Sequence, residues 1–185
     1  MTIRVLAFAG SLRKDSWNRK LIALGAAAVR GLGADVDLLD LREVDMPLYD
    51  GDLEAASGLP AGALAFRDRI AKAAVILIAS PEYNYSIPGT LKNAIDWTSR
   101  PPQQPWQGKV VGLMAASPGA VGGARMLPDL RKVLSGIGAL VVPSQVSVGG
   151  ADKAFDAEGK LGERPSKQID ALAKQLLDLA GKLHP

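Results

Sequence analysis

Cysteine is absent from this 185-residue chain, and histidine occurs once, as His184, next to the last residue. Without cysteine there is no disulfide, no thiolate nucleophile and no thiolate-bound metal. A histidine at the chain end is poorly placed for catalysis, because termini are usually loosely ordered. Nucleophilic triads and zinc sites are therefore not expected. No apolar run approaches the roughly 18 residues of a membrane span, and no basic-then-apolar leader opens the chain, so neither a span nor a signal peptide is expected. The lack of cysteine suits a reducing cytoplasm, the expected location. Net charge is only +3, and no Lys/Arg run carries interleaved aromatics, which argues against nucleic-acid binding. The inventory left over suits chemistry carried by a bound organic cofactor, with the protein holding and orienting it.

The chain reads as alternating strands and helices. Apolar runs at Ile3 to Ala9, Val36 to Leu41, Ala73 to Ala79, Lys109 to Ala116 and Ala139 to Val142 predict five strands. Helical spacing follows the first strand (Leu21, Ile22, Leu24, Ala28, Val29, Leu32). It recurs around Ala63 to Lys72, with Leu64, Arg67 and Ile70 or Ala71 on related faces. Pro88 is placed to open a helix that turns Leu91, Ala94, Ile95 and Trp97 inward. A last helix spans about Ser166 to Lys182. The stretch Met46 to Gly62 reads as loop, and Pro101 to Gly108 as an exposed connector. Such alternation predicts one α/β domain, residues 1–185, with a doubly wound parallel sheet covered by helices on both faces.

Functional residues gather where these strands end. After the first strand comes Gly10-Ser11-Leu12-Arg13-Lys14-Asp15-Ser16-Trp17-Asn18. Gly10 permits a sharp exit, Ser11, Ser16 and Asn18 supply short donors, and Asn18 can also cap the next helix. Arg13 offers a fork for two phosphate oxygens, beside the N–H groups and positive dipole end of a helix. It is an anion cradle, but neither a Gly-Lys-Ser/Thr phosphate loop nor a GxGxxG fingerprint. Basic residues Arg4, Arg13, Lys14, Arg19, Lys20 and Arg30 surround it, whereas the charged residues of 35–54 are all acidic except Arg42. After the third strand comes Pro81-Glu82-Tyr83-Asn84-Tyr85-Ser86-Ile87-Pro88. Two tyrosines on a proline-stiffened backbone suit a planar, partly polar ring system. After the fourth comes Ser117-Pro118-Gly119-Ala120-Val121-Gly122-Gly123, small enough for close backbone approach. In the strand order 2-1-3-4-5 these three loops converge on one crevice.

These motifs, Gly10-Ser11-Leu12-Arg13 with Ser16 and Asn18, then Pro81 through Trp97, then Ser117-Pro118-Gly119 with Gly122-Gly123-Ala124-Arg125, resemble the NAD(P)H-dependent FMN reductase family. The branch they most resemble holds bacterial quinone, chromate and azo-dye reductases. The resemblance runs from Ile3 to about Gly149 and implies a flavodoxin-like fold that binds FMN. It implies hydride equivalents passing from NADPH or NADH to quinones or similar acceptors, with donor and acceptor using one crevice in turn. By resemblance, Ser11, Arg13, Ser16 and Asn18 bind the FMN phosphate with backbone N–H groups near Leu12 and Trp17. Pro81, Glu82, Tyr83 and Asn84 then lie along the isoalloxazine, and Ala116, Ser117, Gly119 and Gly123 border its other side. No catalytic side chain and no metal are implied, and family members are commonly homodimers or homotetramers with the site near an interface. Pro128 departs from the pattern: the helix that contains it either starts near Leu127 or kinks, which bears on the Arg125 region. A flavodoxin-type electron carrier and a flavin-sensing protein are the alternatives, although flavodoxins have a Thr/Gly-rich phosphate loop and strong acidity.

Overall fold

The computed structural model describes residues 2–183, so His184 lies outside the described residues. Strands β1 (Arg4–Ala9), β2 (Asp35–Leu39), β3 (Val75–Ala79), β4 (Val110–Ala116) and β5 (Leu140–Val148) form an all-parallel sheet in the order β2-β1-β3-β4-β5. The helices are α1 (Trp17–Gly31), α2 (Gly51–Ser57), α3 (Ala61–Lys72), α4 (Gly89–Thr98), α5 (Met126–Gly136), α6 (Ala151–Ala154) and α7 (Glu163–Leu183). Successive strand residues point to opposite faces, so the apolar runs of β1, β3 and β4 feed two cores at once. On one face Val5, Ala7, Leu77 and Met114 meet Leu21 and Val29 of α1 and Leu172 and Leu176 of α7. On the other, Leu6, Phe8, Ile76, Ile78 and Leu113 meet Phe66 of α3, Ile95 of α4 and Leu130 of α5. This is the flavodoxin-like order expected from the sequence.

Several local expectations change. Segment 46–62 contains α2, a helix with no buried residue and hence no apolar periodicity to reveal it. The buried face of α3 is Ala63, Phe66 and Ile70, whereas Leu64 is exposed. Strand β5 continues to Val148, well past Val142, because an edge strand needs burial on fewer sides and tolerates Pro143. The connector 101–108 is not wholly exposed: Trp106 is fully buried, and its indole N–H donates to Oγ1 of Thr98 at 3.0 Å. Helix α5 starts at Met126, which puts Pro128 in the first turn, where the missing N–H breaks no helical bond. Among the described residues no helix is long and apolar enough to cross a membrane.

Just past β2, Asp40 gathers charge from two sides. Its carboxylate accepts the backbone N–H of Arg42 at 3.1 Å and Nη2 of Arg42 at 2.6 Å, and Nη1 of Arg19 on α1 lies 2.7 Å away. The Arg42 hydrogen bonds, joined by Arg19 and opposed by burial, hold its carboxyl well below the usual carboxylate range. A depressed folded-state pKa gives stability that is present above the unfolded value, about 3.9, and lost as pH falls through the folded one. Asp40→Asn should therefore cost about 1–2 kcal/mol at neutral pH. In urea unfolding at a series of pH values, that gap should shrink as the pH drops below about 4. A gap independent of pH would show that the charge on Asp40 contributes nothing.

Candidate functional site

The carboxyl ends of β1, β3 and β4 share one edge of the sheet, and the three loops leaving them are tied to one another. The Gly10 N–H donates to the Ala79 carbonyl at 2.9 Å. A Cβ on Gly10 would lie 2.7 Å from Oγ of Ser80 and 2.9 Å from Leu91, so any other residue here would push those side chains aside as the first loop leaves β1 beside β3. Ser16 caps α1, its Oγ accepting the Asn18 N–H at 3.2 Å, and Ser11 Oγ accepts the Arg13 N–H at 3.3 Å. The expectation that Asn18 caps the helix is thus corrected. Its amide crosses over the end of β3 to β4 instead: Nδ2 donates to the Ala116 carbonyl at 2.8 Å, and the Ala116 N–H donates to Oδ1 at 2.8 Å.

The first turn of α1 carries no acidic residue, and the Trp17 N–H is one of the donors a helix start leaves unsatisfied. Arg13 is exposed and makes no ion pair among the described residues. A helix N-terminus with a free guanidinium beside it is a binding place for a small dianion.

The second loop is a two-residue turn, with Tyr83 and Ser86 exchanging backbone hydrogen bonds at 3.0 Å in both directions. Its central residues, Asn84 (φ 49°) and Tyr85 (φ 68°), are both left-handed. Asparagine tolerates that region, but for tyrosine it costs about 1–2 kcal/mol. Contacts to α5 hold the turn: Ser86 Oγ donates to Oδ2 of Asp129 at 2.6 Å, and the Arg125 guanidinium sits 4.6 Å from the Tyr85 ring centroid. Glu82 turns its carboxylate away from the crevice to cap α5, accepting the N–H groups of Arg125 at 3.0 Å and Met126 at 3.3 Å. Any role for Glu82 at the crevice therefore falls to its backbone.

In the third loop Ser117 Oγ accepts the Gly119 N–H at 3.1 Å. A Cβ on Gly122 would lie 2.6 Å from the Gly149 nitrogen, and one on Gly123 would lie 2.8 Å from Ala115 Cβ. These glycines let the loop close onto β5 and β4.

A cleft of about 100 Å³ results, lined by Ser11, Arg13, Ser16, Trp17, Asn18, Pro81, Glu82, Tyr83, Ala116, Ser117 and Pro118. It joins most residues named from the sequence. Leu12, Asn84, Gly119 and Gly123 fall outside that lining, and Leu12 borders a separate hollow with Leu41, Val44, Met46, Thr90 and Asn93. The sequence reading missed Phe155, whose ring stacks on Trp17 at 5.5 Å and 21°, while Lys20 Nζ lies 4.4 Å from the Trp17 ring centroid. Nothing in the spacing around Phe155 marks it, since the contact is made only by the fold.

Residues 3–153 match the family model described as NADPH-dependent FMN reductase. The chain belongs to this family. It is 39% identical over 179 residues to an NAD(P)H-dependent FMN reductase of Pseudomonas aeruginosa, covering 96% of this chain and 94% of that protein. It is 40% identical over 148 residues to a quinone reductase of Escherichia coli, covering 80% of this chain and 78% of that one. Among solved structures it is similar to the flavoenzyme FerB, an NAD(P)H:acceptor oxidoreductase of Paracoccus denitrificans, with a TM-score of 0.85, 33% identity and 98% of each chain covered.

FMN fits the residues present. A free arginine and an acid-free helix start suit its phosphate, and the exposed Tyr83 ring beside the cleft suits a flat aromatic neighbour. Because both polar ends of the Asn18 amide serve Ala116, Asn18→Leu would leave a buried N–H and C=O unpaired. A loss of about 2–4 kcal/mol in urea unfolding is expected. FMN affinity measured by fluorescence titration should fall with it. Unchanged stability would show that the loops are held elsewhere.

Proposed function

We propose that the protein holds FMN in this cleft and uses NADPH or NADH to reduce quinones or similar small acceptors. The observation that carries this reading is Arg13, unpaired among the described residues, beside the acid-free N-terminus of α1, with Tyr83 and Ser117 lining the same cleft. The names of the Pseudomonas and Escherichia relatives support it. When bound, FMN supplies reversible two-electron chemistry between donor and acceptor.

This chain's residues do the holding. Arg13, Ser11, Ser16 and the Trp17 N–H grip the phosphate, and Asn18 sets the spacing between that grip and β4. The backbone of Pro81 to Tyr83 would lie along the ring, with Ala116 and Ser117 on the opposite side, while Asn84, Gly119 and Gly123, outside the cleft lining, would act by shaping the two loops. The Glu82 carboxylate is engaged by the start of α5, so its backbone would be the part that holds the ring. Tyr83, half exposed, gives a planar reactant an aromatic face. No side chain of the cleft needs to serve as acid or base. The protein works in the cytoplasm as a homodimer or homotetramer, without nucleic acid or membrane.

One cleft with two rims leaves one place for a planar reactant, so donor and acceptor alternate. Steady-state kinetics with NAD(P)H and a simple quinone should give parallel double-reciprocal lines. Intersecting lines would show both bound together, and no turnover would favour a carrier or sensor instead. For the phosphate grip, Arg13→Ala should weaken FMN binding by about 1.5–3 kcal/mol, the range of a charge-assisted hydrogen bond. Riboflavin, which lacks the phosphate, should bind almost as before. Equal losses for both ligands would assign Arg13 to folding rather than to phosphate.

A further inference from the structure

Strand β5 runs into a short segment that is tied to both ends of the cleft without lining it. At its start the Gly150 N–H donates to the Gly119 carbonyl at 3.2 Å, and the Ala151 N–H donates to the Ser117 carbonyl at 3.0 Å. A Cβ on Gly149 would collide with the Ala120 carbonyl oxygen, so a side chain there would drive this segment off the third loop. Helix α6 then carries the chain across. At its far end the Phe155 ring, 6% exposed, stacks on Trp17, the first residue of α1.

Phe155 is itself held from behind. The chain doubles back after it, and Phe155 pairs with Leu161 as an antiparallel bridge. Asp156 closes this hairpin: its N–H donates to the Lys160 carbonyl at 2.9 Å, and its Oδ1 accepts the Lys160 N–H at 2.7 Å. Leu161, Ala154 and Trp17 all pack against the same core as Phe155. The ring that Trp17 meets is therefore a fixed face.

We propose that Phe155 is a positioning residue for the phosphate of FMN, acting through the Trp17 ring to fix the first turn of α1. The inference rests on the reading of the cleft as an FMN site. Helix ends fray, because their first N–H groups have no helical partner. In this turn Ser16 Oγ accepts the N–H of Asn18, and the Asn18 amide is tied to Ala116. Neither bond holds Trp17, whose N–H remains free for a phosphate oxygen. What holds Trp17 is its indole, stacked on Phe155 and covered by Lys20 Nζ. Phe155 lies outside the cleft lining, and beyond residues 3–153 that match the family model, so it touches no part of the cofactor site. A residue that only filled the core could be replaced by leucine, whereas one that orients an indole needs a flat face.

The experiment titrates flavin-free protein with FMN and with riboflavin, comparing the unaltered chain with Phe155→Leu and Phe155→Tyr. The leucine variant keeps apolar bulk and loses the flat face. It should weaken FMN binding about five-fold, the worth of one aromatic pair, and riboflavin binding by less than about two-fold. Phe155→Tyr should restore FMN binding. In a Trp17→Leu background, Phe155→Leu should have no further effect, because the path runs through the indole. FMN binding unchanged by leucine, equal losses for the two flavins, no recovery with tyrosine, or additive losses in the double variant would each overturn the proposal. A second readout needs no flavin. Trp97 and Trp106 are fully buried and Trp17 only partly, so flavin-free Phe155→Leu should fluoresce at longer wavelength as Trp17 loosens. Unchanged emission would also overturn the proposal. If the unaltered protein bound neither flavin, the FMN reading would fail, while the emission would still report on the Phe155 contact, so the two failures are distinguishable.

Discussion

Two hydrogen bonds of 2.8 Å between the Asn18 amide and the backbone of Ala116 set the geometry on which the site depends. Strand β3 ends at Ala79 opposite Met114, so on that side the peptide groups of Ala116 lie beyond the reach of the ladder. Asn18 supplies the donor and acceptor that a longer β3 would have supplied. The first turn of α1 is thereby locked to the end of β4 without a strand between them, and the gap left above β3 is the cleft. Because Ser16 caps the helix, the Asn18 side chain is free to make these bonds.

A second constraint fixes the other rim. The turn at Asn84 and Tyr85 is unfavourable on its own, and α5 keeps it through Asp129, Arg125 and the Glu82 cap. The residue conspicuous in the sequence as a polar group in a binding loop thus joins two loops, and the loop's exposed tyrosines are what it presents to solvent. The charges at the end of β2 follow similar logic: Asp40 binds Arg42 and Arg19, and Arg69 binds Asp37 and Glu43, so a cluster of six ions is locally neutral.

Strands β1, β3 and β4 were legible because residues buried on both faces leave uninterrupted apolar runs. The meeting of three loops followed from strand order alone. The far half of β5 was not legible, since Pro143, Ser144 and Gln145 lie exposed on an edge where no apolar pattern is enforced. Helix α2 buries nothing, so its sequence has no period to read. Trp106 looked like part of an open, proline-rich connector because the Thr98 hydroxyl that receives its indole N–H belongs to another element. Among the site residues, Ser11, Ser16 and Arg13 could be placed from local chemistry. The role of Asn18 could not, because its partner is 98 positions away and is a backbone group with no side-chain signature. The same holds for Phe155 against Trp17.

The Asn18 tie makes a cradle that the protein builds before any flavin arrives. The most direct measurement is native-state hydrogen exchange at the Ala116 amide in the flavin-free protein. If Asn18 holds the loops together, this amide exchanges as slowly as the buried amides of β4, such as Leu113, despite standing past the end of the β3 ladder. Exchange at the rate of exposed loop amides would contradict the account and make the cleft a product of cofactor binding.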